Sequence, residues 1–284
     1  MIDNEDIIKS HILAAIREDL GNGDHTSLAT IPAEAIGMMQ LLVKEAGTIA
    51  GVDVAKKVFE LVDPKTDFEQ LIPDGAAVKP GDIVFKVKGK VVSMLSAERL
   101  ALNYMQRMSG IATKTSAYKK LLRGLQTVLL DTRKTTPGMR IFEKMAVAIG
   151  GGANHRFGLF DMILIKNNHV DFAGGITQAV EATQKYLREK KLRLPIELEV
   201  RSLLELEEAM HIGGFQRIML DNFTPENLKK AVEQIDGRFE TEASGGITEA
   251  TIYDYAATGV DFISVGALTH HIKSLDLSLR AIKA

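Results

Sequence analysis

The sequence predicts an α/β protein with two domains, and two observations carry this prediction. Residues 37–94 contain short apolar runs separated by turns rich in proline and glycine, a pattern typical of strands in a small α+β layer domain. Beyond Gly110, strand-like and helix-like segments alternate, which indicates parallel strands with right-handed crossovers. We therefore expect an N-terminal domain at residues 1–112, a second, α/β domain at 113–270, and a C-terminal helix at 271–284 that can pack back on the N-terminal domain.

The N-terminal domain is expected to open with an amphipathic helix. Apolar residues at helical spacing run from Ile7 to Leu20, and the pattern stops at Gly21. A second helix is predicted at residues 51–61, packed on the sheet. Ser96 is the expected N-cap of a third helix, which leads out of the domain. The predicted strands are Met38–Val43, Ile83–Val87 and Val91–Leu95.

The second domain contains six short β-branched or apolar runs and five helical stretches. The predicted strands are Thr127–Leu130, Met162–Ile165, Ile196–Val200, Arg217–Leu220, Phe239–Ala243 and Phe262–Val265. The predicted helices are Arg140–Ile149, Ile176–Lys190, Leu203–His211, Pro225–Gln234 and Glu249–Ala257. Six strands are fewer than the eight of a full barrel, and the alternation leaves a (β/α) barrel and a doubly wound sheet both open.

Composition excludes several classes of function. With 35 basic and 37 acidic residues, the net charge of −2 gives no bulk attraction to nucleic acid or to an anionic membrane. The absence of cysteine excludes disulfides, thiolate metal sites and cysteine nucleophiles. The N-terminus is acidic, and no run approaches the roughly 18 apolar residues that span a bilayer. We expect a cytoplasmic protein.

Polar residues follow all six predicted strands of the second domain. Because the carboxyl ends of parallel strands converge on one face, these residues should meet at one mouth. Any single polar loop is ordinary for a surface, whereas six at one face favour a ligand site. The residues at the strand ends are Asp131–Lys134, Lys166–His169, Glu199, Asp221–Asn222, Ser244–Gly246 and Gly266.

An excess of positive charge near the first two of these strands indicates an anionic ligand. Residues 131–170 contain six basic and three acidic residues, although the whole chain is slightly negative. Arginine forks match carboxylates or phosphates in paired hydrogen bonds, and two neighbouring forks would suit a dicarboxylate. Arg133, Lys134 and Lys166 are the expected ligands because they lie at strand ends. Arg140 and Lys144 are expected on the solvated face of a helix.

Glycine-rich turns and two carboxylates complete the predicted mouth. The runs Ser244–Thr248 and Gly266–His270 follow strands and precede helices, an arrangement that binds phosphate through backbone N–H groups. Glu199 and Asp221 end neighbouring strands, where they could hold ribose hydroxyls or hydrated Mg²⁺, or act as a general acid and base. Glu197 shares a strand face with Glu199, which suggests either a place inside a barrel or a position behind the ligand-binding residues that supports them.

The motifs as a set resemble those of the quinolinate phosphoribosyltransferase family, the carboxylating nicotinate-nucleotide pyrophosphorylases. They are long, occur in the family's order, and cover essentially the whole chain. The matching segments are Arg17–Asp24, Glu98–Asn103, Ser109–Thr113, Asp131–Gly138, Gly150–Arg156, Leu164–His169, Glu197–Val200, Leu220–Phe223, Ser244–Ile247 and Val265–His270.

The resemblance implies a type II phosphoribosyltransferase-like fold, with an N-terminal α+β open sandwich followed by an incomplete α/β barrel. It implies a step in NAD biosynthesis: phosphoribosyl transfer from phosphoribosyl pyrophosphate (PRPP) to the ring nitrogen of quinolinate, with decarboxylation. The products are nicotinate mononucleotide, pyrophosphate and CO₂. The family's enzymes use Mg²⁺ and no organic cofactor, and they are homodimers whose barrels are capped by the partner's N-terminal domain. Assembly of dimers into hexamers is left open.

The resemblance also assigns roles to residues of this sequence. Quinolinate would contact Arg133, His155, Arg156 and Lys166, with Arg99 reaching in from the neighbouring subunit. PRPP and its Mg²⁺ would be held by Lys134, Glu199 and Asp221. Phosphate would be cradled by Ser244, Gly245, Gly246, Gly266 and His270.

Three other functions compete with this reading. A relative of the same fold, such as the molybdenum-operon homologues, could keep the phosphoribosyl site and take another acceptor. A non-catalytic barrel that senses phosphorylated metabolites is a second alternative, although no charged strand-end residue is missing here. A metal hydrolase fits less well, because His155, His169, His270 and His271 lack a ligand spacing such as His-Glu-x-x-His.

Overall fold

The computed structural model describes residues 4–282, so residues 1–3 and 283–284 of the predicted terminal segments lie outside the described residues. Through the long central helix, the elements are α1 (Asn4–Leu20), α2 (His25–Thr30), β1 (Ile36–Val43), β2 (Gly47–Thr48), α3 (Val52–Val62), β3 (Asp67–Gln70), β4 (Ala77–Val78), β5 (Ile83–Lys90) and α4 (Val91–Leu121). The remaining elements are β6 (Val128–Leu130), α5 (Arg140–Ile149), β7 (Ile163–Ile165), α6 (Asn167–Ala173), α7 (Ile176–Lys190), β8 (Ile196–Val200), α8 (Leu203–Ile212), β9 (Arg217–Asp221), α9 (Pro225–Ile235), β10 (Glu240–Ser244), α10 (Ile252–Ala256), β11 (Phe262–Ser264), α11 (Ala267–His270) and β12 (Leu277–Ala281).

The described chain divides into two compact units. The first contains the residues up to Ser116, Thr136–Gly151 and the residues from His271 onward. The second contains Ala117–Thr135 and Gly152–His270. Among the residues described, no helix has both the length and the apolar character needed to cross a membrane.

The first unit is built on an antiparallel sheet with the strand order β12-β1-β5-β3 and a small β2-β4 ladder. Alternate residues of β1 are buried, as expected for a strand with one face on a core. Helix α3 packs its Phe59 against Phe68 of β3 and Phe85 of β5, with ring centroids 6.0 and 6.1 Å away. This aromatic cluster fixes the helix on the sheet, so the predicted α+β layer arrangement is confirmed.

Three predictions, for the C-terminal segment and for residues 91–96, are wrong. The C-terminal segment forms strand β12, not a helix, and pairs antiparallel with β1 so that Leu279 lies opposite Leu41. Leu277 and Leu279 are buried on one face, which is the period of a strand. The expected strand Val91–Leu95 is instead the start of α4, so Ser96 lies inside that helix rather than at its N-cap.

Helix α5, which was expected in the barrel domain, groups with the first unit. Its Phe142 packs against Tyr104 and His11, with both ring centroids 4.8 Å away. The carboxylate of Glu143 is fully buried and accepts a 2.8 Å hydrogen bond from Arg107 Nε. Lys144 is 2% exposed, so its expected place on a solvated face is wrong. The first division between the two units falls inside α4, after Ser116 rather than after residue 112.

The second unit contains a parallel sheet with the strand order β6-β11-β10-β9-β8-β7. This is the chain order of a barrel opened between β6 and β7, without the reversal of a doubly wound sheet. All six predicted strands and the five predicted helices are present, and α10 begins at Ile252 rather than Glu249. Two short helices, α6 and α11, directly follow strands and were not predicted.

Candidate active site

Two adjoining cavities lie at the carboxyl ends of the second unit's strands. The first, called here the basic cavity, has a volume of about 140 Å³ and is lined by Thr132, Arg133, Lys134, His155, Arg156, Leu164, Lys166, Met219, Glu242, Ser244 and Ser264. The second, the glycine cup, has a volume of about 580 Å³ and is lined by Thr132, Lys134, Lys166, Glu199, Asp221, Asn222, Ser244–Thr248, Ser264–Ala267 and His270. Five residues line both cavities, so the two are neighbours.

The basic cavity concentrates positive charge. Arg133, Lys134, Arg156 and Lys166 line it together with one carboxylate, Glu242. Burial, and next the neighbouring Arg133, lower the pKa of Arg156. The arginine pair therefore repels itself, and an anion bound between its members would relieve that repulsion.

Backbone contacts fix the loop that carries Arg156. Ala153 bridges to β6, its N–H donating to the Leu129 carbonyl at 2.8 Å. The buried Asp131 carboxylate accepts the His155 backbone N–H at 2.9 Å. Asp161 accepts the backbone N–H groups of Phe157 and Gly158 at 2.6 and 2.8 Å. The side chains of this loop are thus presented to the cavity by a braced backbone.

His155 lies in a buried cluster of charges. Its Nε2 is 2.9 Å from Glu197 Oε2 and 3.3 Å from Glu242 Oε2. Desolvation by burial lowers the pKa of His155, but the close contacts of its Nε2 with the carboxylates of Glu197 and Glu242 outweigh burial and raise this pKa to about 9. Burial, and next the charge of Glu242, raise the pKa of Glu197 to about 7.

The other ring nitrogen of His155 also has a protein partner. The Arg156 backbone N–H donates to Nδ1 at 2.7 Å, which favours a neutral ring and opposes the effect of the carboxylates. The carboxylates dominate, because two charge-assisted contacts are stronger than one neutral hydrogen bond. Nδ1 can accept the Arg156 N–H only in the neutral ring, whereas Nε2 faces the two carboxylates in either state, and the ring lines the basic cavity. Direct binding of quinolinate by His155 stays a prediction.

The glycine cup presents two carboxylates from adjacent strands. Glu199 forms an ion pair with Lys166, with Oε2 3.6 Å from Nζ, and its Oε1 accepts a hydrogen bond from the Asn167 backbone N–H at 3.2 Å. Asp221 accepts the Ser244 hydroxyl at 3.0 Å and the Asn222 side-chain amide at 2.7 Å. These oxygen donors fit Mg²⁺, which takes one or two carboxylates and keeps several waters.

A second group of metal-ligand type is less suited to Mg²⁺. Ligand atoms of His155, Glu197 and Glu242 lie within 4.8 Å of one another and are buried. Imidazole is not a preferred ligand of Mg²⁺, and the carboxylates already face His155 and Arg217. We assign no metal to this cluster.

Glycine is required at two points of the cup. Gly245 has a φ of +97°, and a Cβ there would overlap Asn222 Oδ1. A Cβ at Gly266 would lie 2.9 Å from His270 Nε2 and 3.1 Å from Lys134 Cδ. The Thr269 hydroxyl also donates to the Lys134 carbonyl at 2.8 Å, which ties the two loops together. A larger residue at either position would fill space inside the cup.

Comparisons with known proteins agree with this geometry. Residues 24–109 match the N-terminal domain, and residues 111–280 the C-terminal domain, of quinolinate phosphoribosyl transferase. The chain belongs to the quinolinate phosphoribosyltransferase family. It is 46% identical to the chloroplastic nicotinate-nucleotide pyrophosphorylase [carboxylating] of Arabidopsis thaliana, covering 96% of this chain and 82% of that protein. It is 40% identical to a probable nicotinate-nucleotide pyrophosphorylase [carboxylating] of Archaeoglobus fulgidus, over 92% of this chain and 99% of the relative.

The fold is also that of solved members of the quinolinate phosphoribosyltransferase family. The nicotinate-nucleotide pyrophosphorylase from Francisella tularensis superposes with a TM-score of 0.91 at 40% identity. The match covers 99% of this chain and 98% of that one. NadC from Streptococcus pyogenes gives the same TM-score at 39% identity, with 97% of each chain covered.

In this family member, every predicted site residue of the second unit lines at least one of the two cavities. Arg99 differs: it is exposed on α4 in the first unit and does not line either cavity. Sequence reasoning missed Glu242, which lines the basic cavity, and Arg217, which pairs with it. The available signal was an acidic residue inside the buried strand β10, flanked by Thr241 and Ala243.

Proposed function

We propose that this protein transfers the phosphoribosyl group of PRPP to the ring nitrogen of quinolinate and decarboxylates the product to nicotinate mononucleotide. The observation that carries the proposal is the small, strongly basic cavity directly beside a larger glycine-rich cup. A planar dicarboxylate fits the first, and a sugar phosphate fits the second. The reaction is a step of NAD biosynthesis.

The basic cavity supplies what a ring with two adjacent carboxylates requires. Arg133 and Arg156 are close enough for the charge of one to lower the pKa of the other. Their forks would each grip one carboxylate in paired hydrogen bonds, with Lys166 as a movable third cation. Holding both carboxylates would orient the ring nitrogen toward the shared wall of the cup.

The glycine cup would hold PRPP. The turns at Gly245–Gly246 and Gly266 would receive its phosphates, next to His270 and the hydroxyl of Ser244. Lys134 lines both cavities, which suits a cation that contacts the leaving group. Glu199 and Asp221 would hold Mg²⁺ through water, or the ribose hydroxyls. Bound there, Mg²⁺ would supply positive charge that stabilises the departing pyrophosphate.

The chemistry needs no protein nucleophile. The lone pair of the pyridine nitrogen forms the bond to the ribose carbon while the bond from that carbon to pyrophosphate breaks. The electron pair of the broken bond stays on the leaving oxygen. The protein contributes mainly alignment, which can supply several kcal/mol. The bond to the 2-carboxylate then breaks, CO₂ leaves, and its electron pair stays on the ring carbon beside the cationic nitrogen. A proton from solvent completes the product.

The decisive test measures CO₂ release from quinolinate labelled at the 2-carboxylate, in the presence of PRPP and Mg²⁺. We expect labelled CO₂ and nicotinate mononucleotide in equal amounts, both lost on chelation of the metal. Nucleotide formation from nicotinate but not from quinolinate would instead assign the protein to a relative with another acceptor. Binding of PRPP without turnover of either pyridine would indicate a sensor.

We further propose a homodimer in which Arg99 completes the site of the partner subunit. Its exposure on α4 supports this role, because it leaves the guanidinium available to another chain. Co-expression of Arg99→Ala and Arg156→Ala chains tests it. Mixed dimers should regain part of the activity that each parent lacks, and no gain would mean that each subunit has a self-contained site. Hexamer formation and a cytoplasmic location remain predictions, to be tested by sedimentation and cell fractionation.

A further inference from the structure

A chain of buried charges runs along the strands of the second unit behind the basic cavity. His155 contacts both Glu197 and Glu242, and Arg217 Nη1 lies 3.3 Å from Glu242 Oε2. The side chains of Glu197 and Glu242 are fully buried, and that of Arg217 is 13% exposed. The proposed mechanism uses neither Glu242 nor Arg217.

Arg217 reaches this cluster from the opposite end of the sheet. It is the first residue of β9, whereas Asp221, the last residue of the same strand, lines the glycine cup. Its guanidinium is fixed by Glu240, whose Oε2 accepts from Nε at 3.1 Å and from Nη2 at 3.0 Å. The same group stacks on the ring of Phe262, 3.8 Å from the centroid. It is therefore held in one position.

The negative charge of Glu242 is unfavourable for an anionic ligand, and Arg217 can compensate for it. It is the one carboxylate among the residues that line the basic cavity, where a dianionic ring would bind. A buried, unpaired carboxylate at this position would repel the dianionic ligand. It would also compete with that ligand for the cationic side chains of the cavity. Arg217 approaches Glu242 as a second cation beside His155, so each of the two buried acids has a positive neighbour.

We propose that Arg217 and Glu242 are positioning residues for quinolinate: Glu242 holds His155 in place, and Arg217 neutralises Glu242 from behind so that the dianion is not repelled. This inference rests on the proposed function. It extends the quinolinate site along the strands to residues that no substrate atom touches. It predicts an effect on the dicarboxylate that PRPP does not share, because PRPP binds in the neighbouring cup.

The test compares four variants, Arg217→Met, Arg217→Lys, Glu242→Gln and the double variant that combines Arg217→Met with Glu242→Gln, by steady-state kinetics with each substrate varied in turn. Arg217→Met should raise the KM for quinolinate by about tenfold or more and leave that for PRPP within about twofold. Arg217→Lys keeps the charge but loses the paired contacts and the stacking of the guanidinium, so its quinolinate KM should rise less than that of Arg217→Met, with the PRPP KM within about twofold of wild type. Adding Glu242→Gln to Arg217→Met removes the unpaired charge, so the double variant should match Glu242→Gln alone within about threefold.

Arg201→Met is the matched control, because Arg201 is an exposed arginine in an ion pair with Glu205 outside both cavities. Equal increases in both KM values for Arg217→Met, or no increase, would overturn the proposal. If Arg217→Met does not fold, the double variant provides the test. A quinolinate KM about tenfold above that of Glu242→Gln alone would overturn the proposal, because Arg217 would then matter without the charge of Glu242.

Calorimetric binding of benzene-1,2-dicarboxylate separates this inference from the proposed function. This probe has the two adjacent carboxylates but no ring nitrogen, so its binding does not depend on catalysis. Weaker binding to Arg217→Met than to Arg217→Lys supports the charge-compensation role even if the wild type releases no CO₂ from quinolinate. Equal binding to the two variants rejects that role even if the wild type is active.

Discussion

The buried histidine cluster predicts that the second unit loses stability as the pH rises above neutrality. The pKa of His155 is raised from 6.5 to about 9 in the folded protein. A raised pKa means stabilisation that is fully present below the unfolded value and is lost as the pH rises through the folded value. For His155 the loss should therefore fall between pH 6.5 and about 9. The raised pKa of Glu197 acts with the same sign at lower pH, between 4.5 and about 7.

The size of this effect follows from the shift. A change from 6.5 to about 9 corresponds to about 3 kcal/mol of unfolding free energy. Urea unfolding followed by circular dichroism at several pH values measures it. His155→Gln should remove the histidine's contribution and leave only a loss set by Glu197, whose pKa His155 lowers in the wild type. His211→Gln, which removes an exposed histidine of α8, should leave the wild-type pH profile unchanged. A wild-type unfolding free energy that stays level or rises across this interval would refute the reasoning.

Three further predictions concern single side chains. Arg156→Ala removes a paired charge contact and should lower kcat/KM for quinolinate in steady-state kinetics. The fall should correspond to a loss of at least about 2 kcal/mol of transition-state stabilisation. Gly266→Ala places a methyl group 2.9 Å from His270 Nε2 and should raise the KM for PRPP more than that for quinolinate. Arg107→Ala leaves the buried Glu143 without its cation and should destabilise the first unit by about 3 kcal/mol in urea unfolding.

Each of these has a control or a contrary outcome. Arg201→Ala removes an exposed arginine and should leave quinolinate kinetics unchanged. If Arg156→Ala and Arg201→Ala gave the same kcat/KM for quinolinate, the assignment of Arg156 to the quinolinate site would be contradicted. A Gly266→Ala enzyme with normal PRPP kinetics would mean that the cup does not hold phosphate. Lys185→Ala removes an exposed ion pair with Glu189, and its small effect is the reference for Arg107→Ala.

Much of the second unit could be predicted because its signals are local. Strand β8 has the predicted bounds, and the other five predicted strands differ from the observed ones by one residue at one or both ends. The strand-end rule then placed Arg133, Lys166 and Asp221 at one mouth without any knowledge of distances. The same rule cannot assign roles, and the parts played by the individual residues in binding remain predictions.

The sequence by itself determined the period of the six predicted strands and five predicted helices of residues 127–265 and the chemical character of each strand end, because these depend on neighbours a few residues apart. Tertiary structure decided whatever depends on a distant partner. The C-terminal segment is a strand because the edge of β1 is there to pair with it. Lys144 is buried because α5 packs in the first unit. His155, Glu242 and Arg217 meet across the sheet, since burial and charge pairing join residues that local periodicity cannot relate.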